Sequence, residues 1–335
     1  MNRVTLRKTL ISCALLGGAL LLTIISMSLL GSERLPARDS LCALASMGTS
    51  ACGLTPDQFD ILFQIRLPRI LLAAAVGGSL ATAGAGYQAL LRNPLAEPYL
   101  LGISNGAAVG TMIALVFFGA VEWVRPLLAF SGALAATFAV YRLARGRAGA
   151  TPERLILAGV IVTTFLSSVI VFVTTLMDAT RIRSFTFWLL GDLSGTSRTL
   201  LPVAITIAIL GALALTLHAR SLNLLMLGER DAFDLGVEVG RVRVVVFLVA
   251  SLLVGSSVAA SGSVGYVGLV VPHLARLSLG SDNRISIPAA ALGGALFVIV
   301  ADTVARTIIA PRELPVGAIT ALIGAPLFIY LLKRV

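Results

Sequence analysis

Two lysines, two histidines and three cysteines are all that this 335-residue chain offers to the commonest nucleotide, metal and thiol chemistries. A phosphate-binding loop needs a lysine behind a glycine-rich turn, so that the ammonium reaches the phosphates. Neither Lys8 nor Lys333 has that setting. His218 and His273 stand apart, outside H-E-x-x-H or any comparable cluster, so neither a metal centre nor another cofactor is expected. No G-x-S-x-G elbow presents a nucleophilic serine. The chain therefore reads as a non-enzyme, and any ATP hydrolysis it depends on must come from another polypeptide. Asp302 and Arg306 are spaced i, i+4 near the end of an apolar run, where they can pair as ions on one helix face. Cys42 and Cys52 flank a short polar segment, where a disulfide and two free thiols are both open readings. Cys13 lies within the first apolar run and reads as packing.

The elements that must position these residues are dictated by composition. Apolar residues make up 57% of the chain, charged residues 13%, and the mean hydropathy is +0.97. A soluble domain carries about 25% charged residues, so membrane lipid must be the solvent for much of this surface. The net charge of +10 could suggest nucleic acid. However, the 26 basic residues punctuate the ends of apolar runs, which is the pattern of a topology signal. No nucleic-acid partner is expected.

About 20 apolar residues cross a bilayer as a helix. Ten such spans are predicted: Leu10–Leu30, Ile70–Leu91, Leu100–Phe118, Pro126–Leu143, Leu155–Met177, Leu200–Leu217, Val244–Gly262, Val264–Leu279, Ile285–Ile308 and Val316–Leu332. The first exceeds the 7–15 apolar residues of a signal peptide and reads as a retained span. With the N-terminus in the cytoplasm, 16 basic residues fall inside and 10 outside or near the outer surface. The inside set includes Arg3, Arg7, Lys8, Arg92, Arg147, Arg276, Lys333 and Arg334, and it predicts that both termini are cytoplasmic. Residues 1–335 read as one transmembrane domain with a periplasmic segment at 31–69 and a cytoplasmic charged loop at 219–243.

A shift of 178 residues aligns Val76–Gly84 with Val254–Gly262, with five of nine positions identical. These stretches lie five spans apart and cross in opposite directions. The predicted fold is thus an all-α polytopic membrane protein of about ten transmembrane helices, an inverted repeat of two five-helix halves. Small residues at helical spacing, such as Gly77, Ala81 and Ala85, would let backbones approach closely.

Several longer motifs carry a resemblance. They are R-L-P-R at Arg66–Arg69, R-N-P-L-A-E-P from Arg92, L-L-G-I-S-N-G from Leu100 and L-G-E-R-D-A-F-D-L-G-V from Leu227. G-Y-V-G-L-V-V-P-H from Gly265, A-D-T-V-A-R from Ala301 and E-L-P-V-G from Glu313 continue the series. From about Arg66 onward the chain resembles the permeases of type II ABC importers for ferric siderophores, haem and cobalamin. That resemblance implies two copies of the chain forming a pore, two cytoplasmic ATPase subunits, and a periplasmic binding protein that delivers a metal chelate across the bacterial inner membrane. It implies that Arg66, Arg69 and Arg306 receive carboxylates of the binding protein. It assigns ATPase coupling to Leu227, Gly228, Glu229, Arg230, Asp231, Phe233, Asp234, Leu235 and Gly236. It places the cytoplasmic gate at Asn93, Pro94 and Leu95. Ferric siderophore leads among the cargoes, with cobalamin and haem behind. The alternative class, a proton- or ion-coupled secondary transporter, needs ionisable groups at mid-membrane, and the predicted spans carry few.

Overall fold

The computed structural model describes residues 6–31, 33–119, 121, 123–146, 149–195 and 199–332. Arg3, Arg147, Lys333 and Arg334, used above for orientation, lie outside the described residues. In chain order the helices are α1 (Leu6–Leu29), α2 (Ala37–Ala45), α3 (Pro56–Asp60), α4 (Leu67–Leu90), α5 (Ile103–Ile113), α6 (Val124–Ala144), α7 (Pro152–Thr174) and α8 (Ala179–Leu189). They continue as α9 (Leu200–Leu217), α10 (Ala219–Leu227), α11 (Glu229–Asp234), α12 (Val239–Ser261), α13 (Val267–Leu279), α14 (Asn283–Thr307) and α15 (Val316–Leu332). Among the described residues, seven helical runs are long and apolar enough to cross a membrane, and three shorter apolar helices complete the ten expected elements in order.

The second span begins earlier than the sequence predicts. A capping box opens α3: the Thr55 hydroxyl accepts from the Gln58 N–H, and the Gln58 side chain accepts from the Thr55 N–H. Pro56 occupies the first helical turn, where its missing N–H costs nothing. A π-helical segment, Ile61–Arg66, then joins α3 to α4. Its wider turn precedes Pro68, whose missing N–H falls in the first turn of α4, so the helix runs through residues expected to lie in the periplasmic segment. Arg66 and Arg69 consequently sit within a continuous helix from Pro56 to Leu90, not in a loop ahead of it.

The two halves repeat one another. α5 packs on α6 and α7 as α13 packs on α14 and α15. The glycines of the aligned motif show the same correspondence. A methyl group on Gly77 in α4 would strike the Gly294 carbonyl of α14, and one on Gly255 in α12 would meet Ala133 of α6. α4 is the centre of the molecule, in contact with α1, α9, α12, α13 and α14. Its contact with α13 is backbone against backbone, since a methyl on Gly84 would fall on the Gly268 carbonyl.

The third and eighth spans are short. α13 has 13 residues, which rise only about 20 Å against about 30 Å of hydrocarbon, so α13 starts within the membrane. α5 and its π-helical extension Ala114–Phe118 are similarly brief. Irregular backbone at that depth must be satisfied by protein. Tyr99 does this from the turn before α5, accepting from the Val264 N–H at 2.9 Å and donating to the Val264 carbonyl at 3.0 Å. The Glu97 carboxylate meets the Tyr266 N–H at 3.4 Å. Pro272 leaves the Gly268 carbonyl without its helical partner, and Gln88 Nε2 donates to it and to the Leu269 carbonyl.

A small separate core, Leu35, Ala43, Leu54 and Leu62, holds the segment before α4, and Cys42 and Cys52 are joined there as a disulfide. The helix α8 was not anticipated from the sequence. Its signal was Asp178, whose carboxylate caps the Arg181 N–H at 2.9 Å.

Candidate functional site

At the face where α4 begins, the three arginines of the docking expectation are all buried. Arg66 is 4% exposed. Its guanidinium donates to the carbonyls of Ser28 at 3.2 Å and Leu29 at 3.3 Å, and to that of Glu33. It therefore fastens the open end of α1, whose last carbonyls have no helical donors. Arg69 grips Asp302 with a fork: Nε lies 3.0 and 3.2 Å from the two carboxylate oxygens, and Nη2 lies 2.9 Å from Oδ1. Its Nη1 donates to Glu313 at 2.8 Å. The expected pair within α14 is present as well, with Arg306 Nε 3.1 Å from Asp302 Oδ2. That contact is a charge contact without hydrogen-bond alignment, while Nη2 donates to Thr303 at 3.3 Å. One carboxylate thus bridges two guanidinium groups, and only Glu313, 49% exposed, opens to solvent. Spacing along one helix revealed the Asp302–Arg306 pair. Arg69 and Glu313 come from elsewhere in the chain, and no local pattern announces them.

At the opposite face, α10 and α11 form the charged pair expected between the sixth and seventh spans. Gly228, at φ 141°, makes the corner between them, a backbone setting suited to glycine. Glu229 at the start of α11 is 2.5 Å from Arg243 of α12 and 3.9 Å from Arg92, next to Asn93 and Pro94. Arg230, Asp231 and Asp234 face solvent, and so does Gly236. The apolar Leu227, Phe233 and Leu235 do too, at 65%, 71% and 61% exposure. α10 is also pinned to the start of α14. Asn223 donates to Asp282 at 2.7 Å and accepts from the Asn283 N–H at 2.9 Å.

Burial pushes the Asp282 carboxyl up, but hydrogen bonds from Arg284 and Asn223 outweigh it and hold the group below its ordinary value. A carboxyl depressed on folding contributes stability that is complete above its unfolded pKa and is lost as pH falls through the folded one. Asp282→Asn is therefore expected to flatten the acid limb of the thermal-stability profile below about pH 4 and to leave the profile near pH 7 parallel to wild type. Scanning calorimetry of the detergent-solubilised protein across pH reads this directly.

The turn that the resemblance assigns to a gate is built locally. Arg92 has φ 49°, and the Asn93 side chain accepts from the Leu95 N–H at 2.9 Å in an Asx turn. Pro94 and Leu95 are exposed on this turn, which the Arg92–Glu229–Arg243 contacts place beside α11 and α12. The resemblance-derived gate and coupling residues are therefore neighbours. The junction of Glu97, Tyr99, Val264 and Tyr266 was missed. Its signal was a pair of short spans, interrupted by glycine and proline, at corresponding positions of the two halves.

Ten membrane elements in two inverted halves, with shortened third and eighth spans whose leading turns meet, make up a membrane-embedded transport permease. Comparison with known proteins carries this one step further. The chain belongs to the FecCD transport family, which it matches over residues 18–334. It is 43% identical over 273 residues to the cobalamin import system permease protein BtuC of Halobacterium salinarum, covering 82% of this chain and 73% of the relative. It is 42% identical over 286 residues to the hemin transport system permease protein HmuU of Yersinia pestis, covering 82% and 84%. A solved structure described as an inward-facing conformation of a metal-chelate type ABC transporter superposes with a TM-score of 0.84 at 31% identity. That match covers 96% of this chain and 99% of the solved one.

Proposed function

We infer that this chain is the translocating subunit of an ATP-driven importer that carries an intact metal chelate into the cytoplasm. The observation that carries this reading is the α10–α11 surface. Leu227, Phe233 and Leu235 project from a charged helix pair outside the spans, and the resemblance noted in the sequence implies that this segment meets a separate ATPase. A solvated loop has no reason to expose three large apolar side chains together. Closure of the ATPase would then reach the gate turn at Asn93, Pro94 and Leu95 through Glu229, Arg243 and Arg92.

Two copies of the chain form the passage in the inner membrane, with both termini in the cytoplasm and a binding protein at the outer mouth. Arg66, Arg69 and Arg306 supply the docking charges there for carboxylates of the binding protein, and Arg66 also holds the outer rim by fastening α1. The relatives named for cobalamin and hemin support tetrapyrrole-type chelates, with ferric siderophores next. Reconstitution with the cognate ATPase and binding protein tests the reading. Chelate uptake should require ATP and persist with a protonophore. Uptake that collapses with the protonophore while ATP is held constant would replace it with ion-coupled transport.

A further inference from the structure

Beside the gate turn, at the face where α4 ends, lies a cavity of about 330 Å³ lined by Gln88, Arg92, Asn93, Met226, His273 and Arg276, among others. Its charge is one-sided, because among the described residues no aspartate or glutamate lines it. The arginines nearby are balanced: Arg92 and Arg243 share Glu229, and Arg284 pairs with Asp282 at 2.8 Å. Arg276 is different. Among the described residues its guanidinium has no ion pair, and its Nη2 is buried without a hydrogen-bond partner. A topology-setting arginine at a membrane surface is solvated or paired; Arg276 is half-buried and has no ion pair among the described residues, so its buried Nη2 needs another account. A buried N–H donor left without an acceptor is costly to maintain. A second orphan sits on the same wall: Gln88 Oε1, an acceptor, is buried and unpaired while its Nε2 is engaged with α13.

We propose that this cavity is an oxyanion subsite at the inner mouth of the passage, which holds the anionic arm of the chelate as it leaves. Arg276 supplies charge-assisted N–H donors, which suit a carboxylate or phosphate oxygen. Gln88 Oε1, an acceptor, takes the O–H of a hydrogen phosphate, or a water bridging to the anion where that is a carboxylate or phosphodiester. Arg92 adds charge at the rim, shared with Glu229. Haem bears two propionates and cobalamin a phosphodiester, so cargo of the class inferred above carries the matching chemistry. The cavity borders the gate turn and Met226 of α10, so its occupancy would be felt by both the gate and the coupling helix. The proposal deepens the importer reading and rests on it for the identity of the cargo, but not for the anion chemistry.

The probe is inorganic phosphate, titrated by radioligand filtration against the full chain in nanodiscs of zwitterionic lipid, with propionate as competitor. Wild type should bind phosphate saturably and release it to propionate. Arg276→Gln should weaken binding by at least about tenfold, and Arg276→Lys should retain part of it. Melting temperatures of the variants establish that they are folded. Equal phosphate binding in wild type and Arg276→Gln overturns the proposal. So does an absence of phosphate binding in zwitterionic nanodiscs together with Arg276-dependent retention of anionic lipid, which would make the occupant a lipid headgroup. The transport assay separates the two readings. ATP-driven uptake without Arg276-dependent phosphate binding removes the subsite and leaves the importer, whereas binding without uptake does the reverse.

Discussion

Asp302→Ala is expected to deplete the folded protein more severely than any other single truncation at the face where α4 begins. Its carboxylate, 1% exposed, lies between Arg69 and Arg306, and alanine leaves both guanidinium groups buried with little compensation. Removing one partner of a buried ion pair costs about 3–5 kcal/mol, a large share of the stability of a typical domain. Glu313 stays with Arg69 and offsets part of that, so the larger residual cost falls on Arg306. The measurement is the amount of monodisperse protein after solubilisation, with the melting temperature of the fraction that survives. Replacing the whole triad by apolar residues, Asp302→Leu with Arg69→Met and Arg306→Met, should restore most of the yield, because desolvation of all three charges is then avoided. That triple variant also separates the two roles of the cluster. If Arg69 and Arg306 dock a binding protein, the triple variant folds and fails to bind it. Full docking affinity in the triple variant would leave the cluster as a structural device alone.

Glu229→Ala should leave the membrane fold intact and sever coupling. Glu229 is the only carboxylate in contact with Arg243 among the described residues, and the Arg243 side chain is 8% exposed. It also lies within reach of Arg92. Loss of the pair frees α11 from α12 at a cost of about 2 kcal/mol, reduced because Glu229 itself is partly solvated. The position of the helix, not its existence, is at stake. In proteoliposomes the expected result is basal ATP hydrolysis by the partner near wild type and chelate uptake reduced by about tenfold or more, as a shift of this size in a two-state linkage implies. Glu229→Asp, which keeps charge but shortens reach, should fall between. Unchanged uptake in Glu229→Ala would mean that force reaches the spans by another route.

Hydropathy and basic punctuation made the ten spans and the all-α class legible, because a bilayer demands long apolar helices and little else. The repeat was legible in Val76–Gly84 and Val254–Gly262, since close backbone approach tolerates only small residues there. The start of the second span was misjudged, because Pro68 reads as a break and the π-helical turn that precedes it leaves no mark in the sequence. Arg66 carries the same lesson at the site. Its acceptors are main-chain carbonyls 33 to 38 residues away, and a carbonyl has no residue identity to recognise. Arg69 and Asp302 are 233 residues apart, so only the closed bundle brings them together. Arg276 reads in the sequence as one more inside-positive residue, and its isolation emerges only from the packing around it.

The tight seams around α4 have a consequence for how such a machine turns over. With Gly77 locked to Gly294 and Gly84 to Gly268, this helix has no room to slide or roll, so it serves as the fixed mast of the bundle. α7 is buried over only a small part of its length and offers the looser sail. Spectroscopic labels placed along α7 should register the working stroke, and labels on α4 should stay silent throughout it.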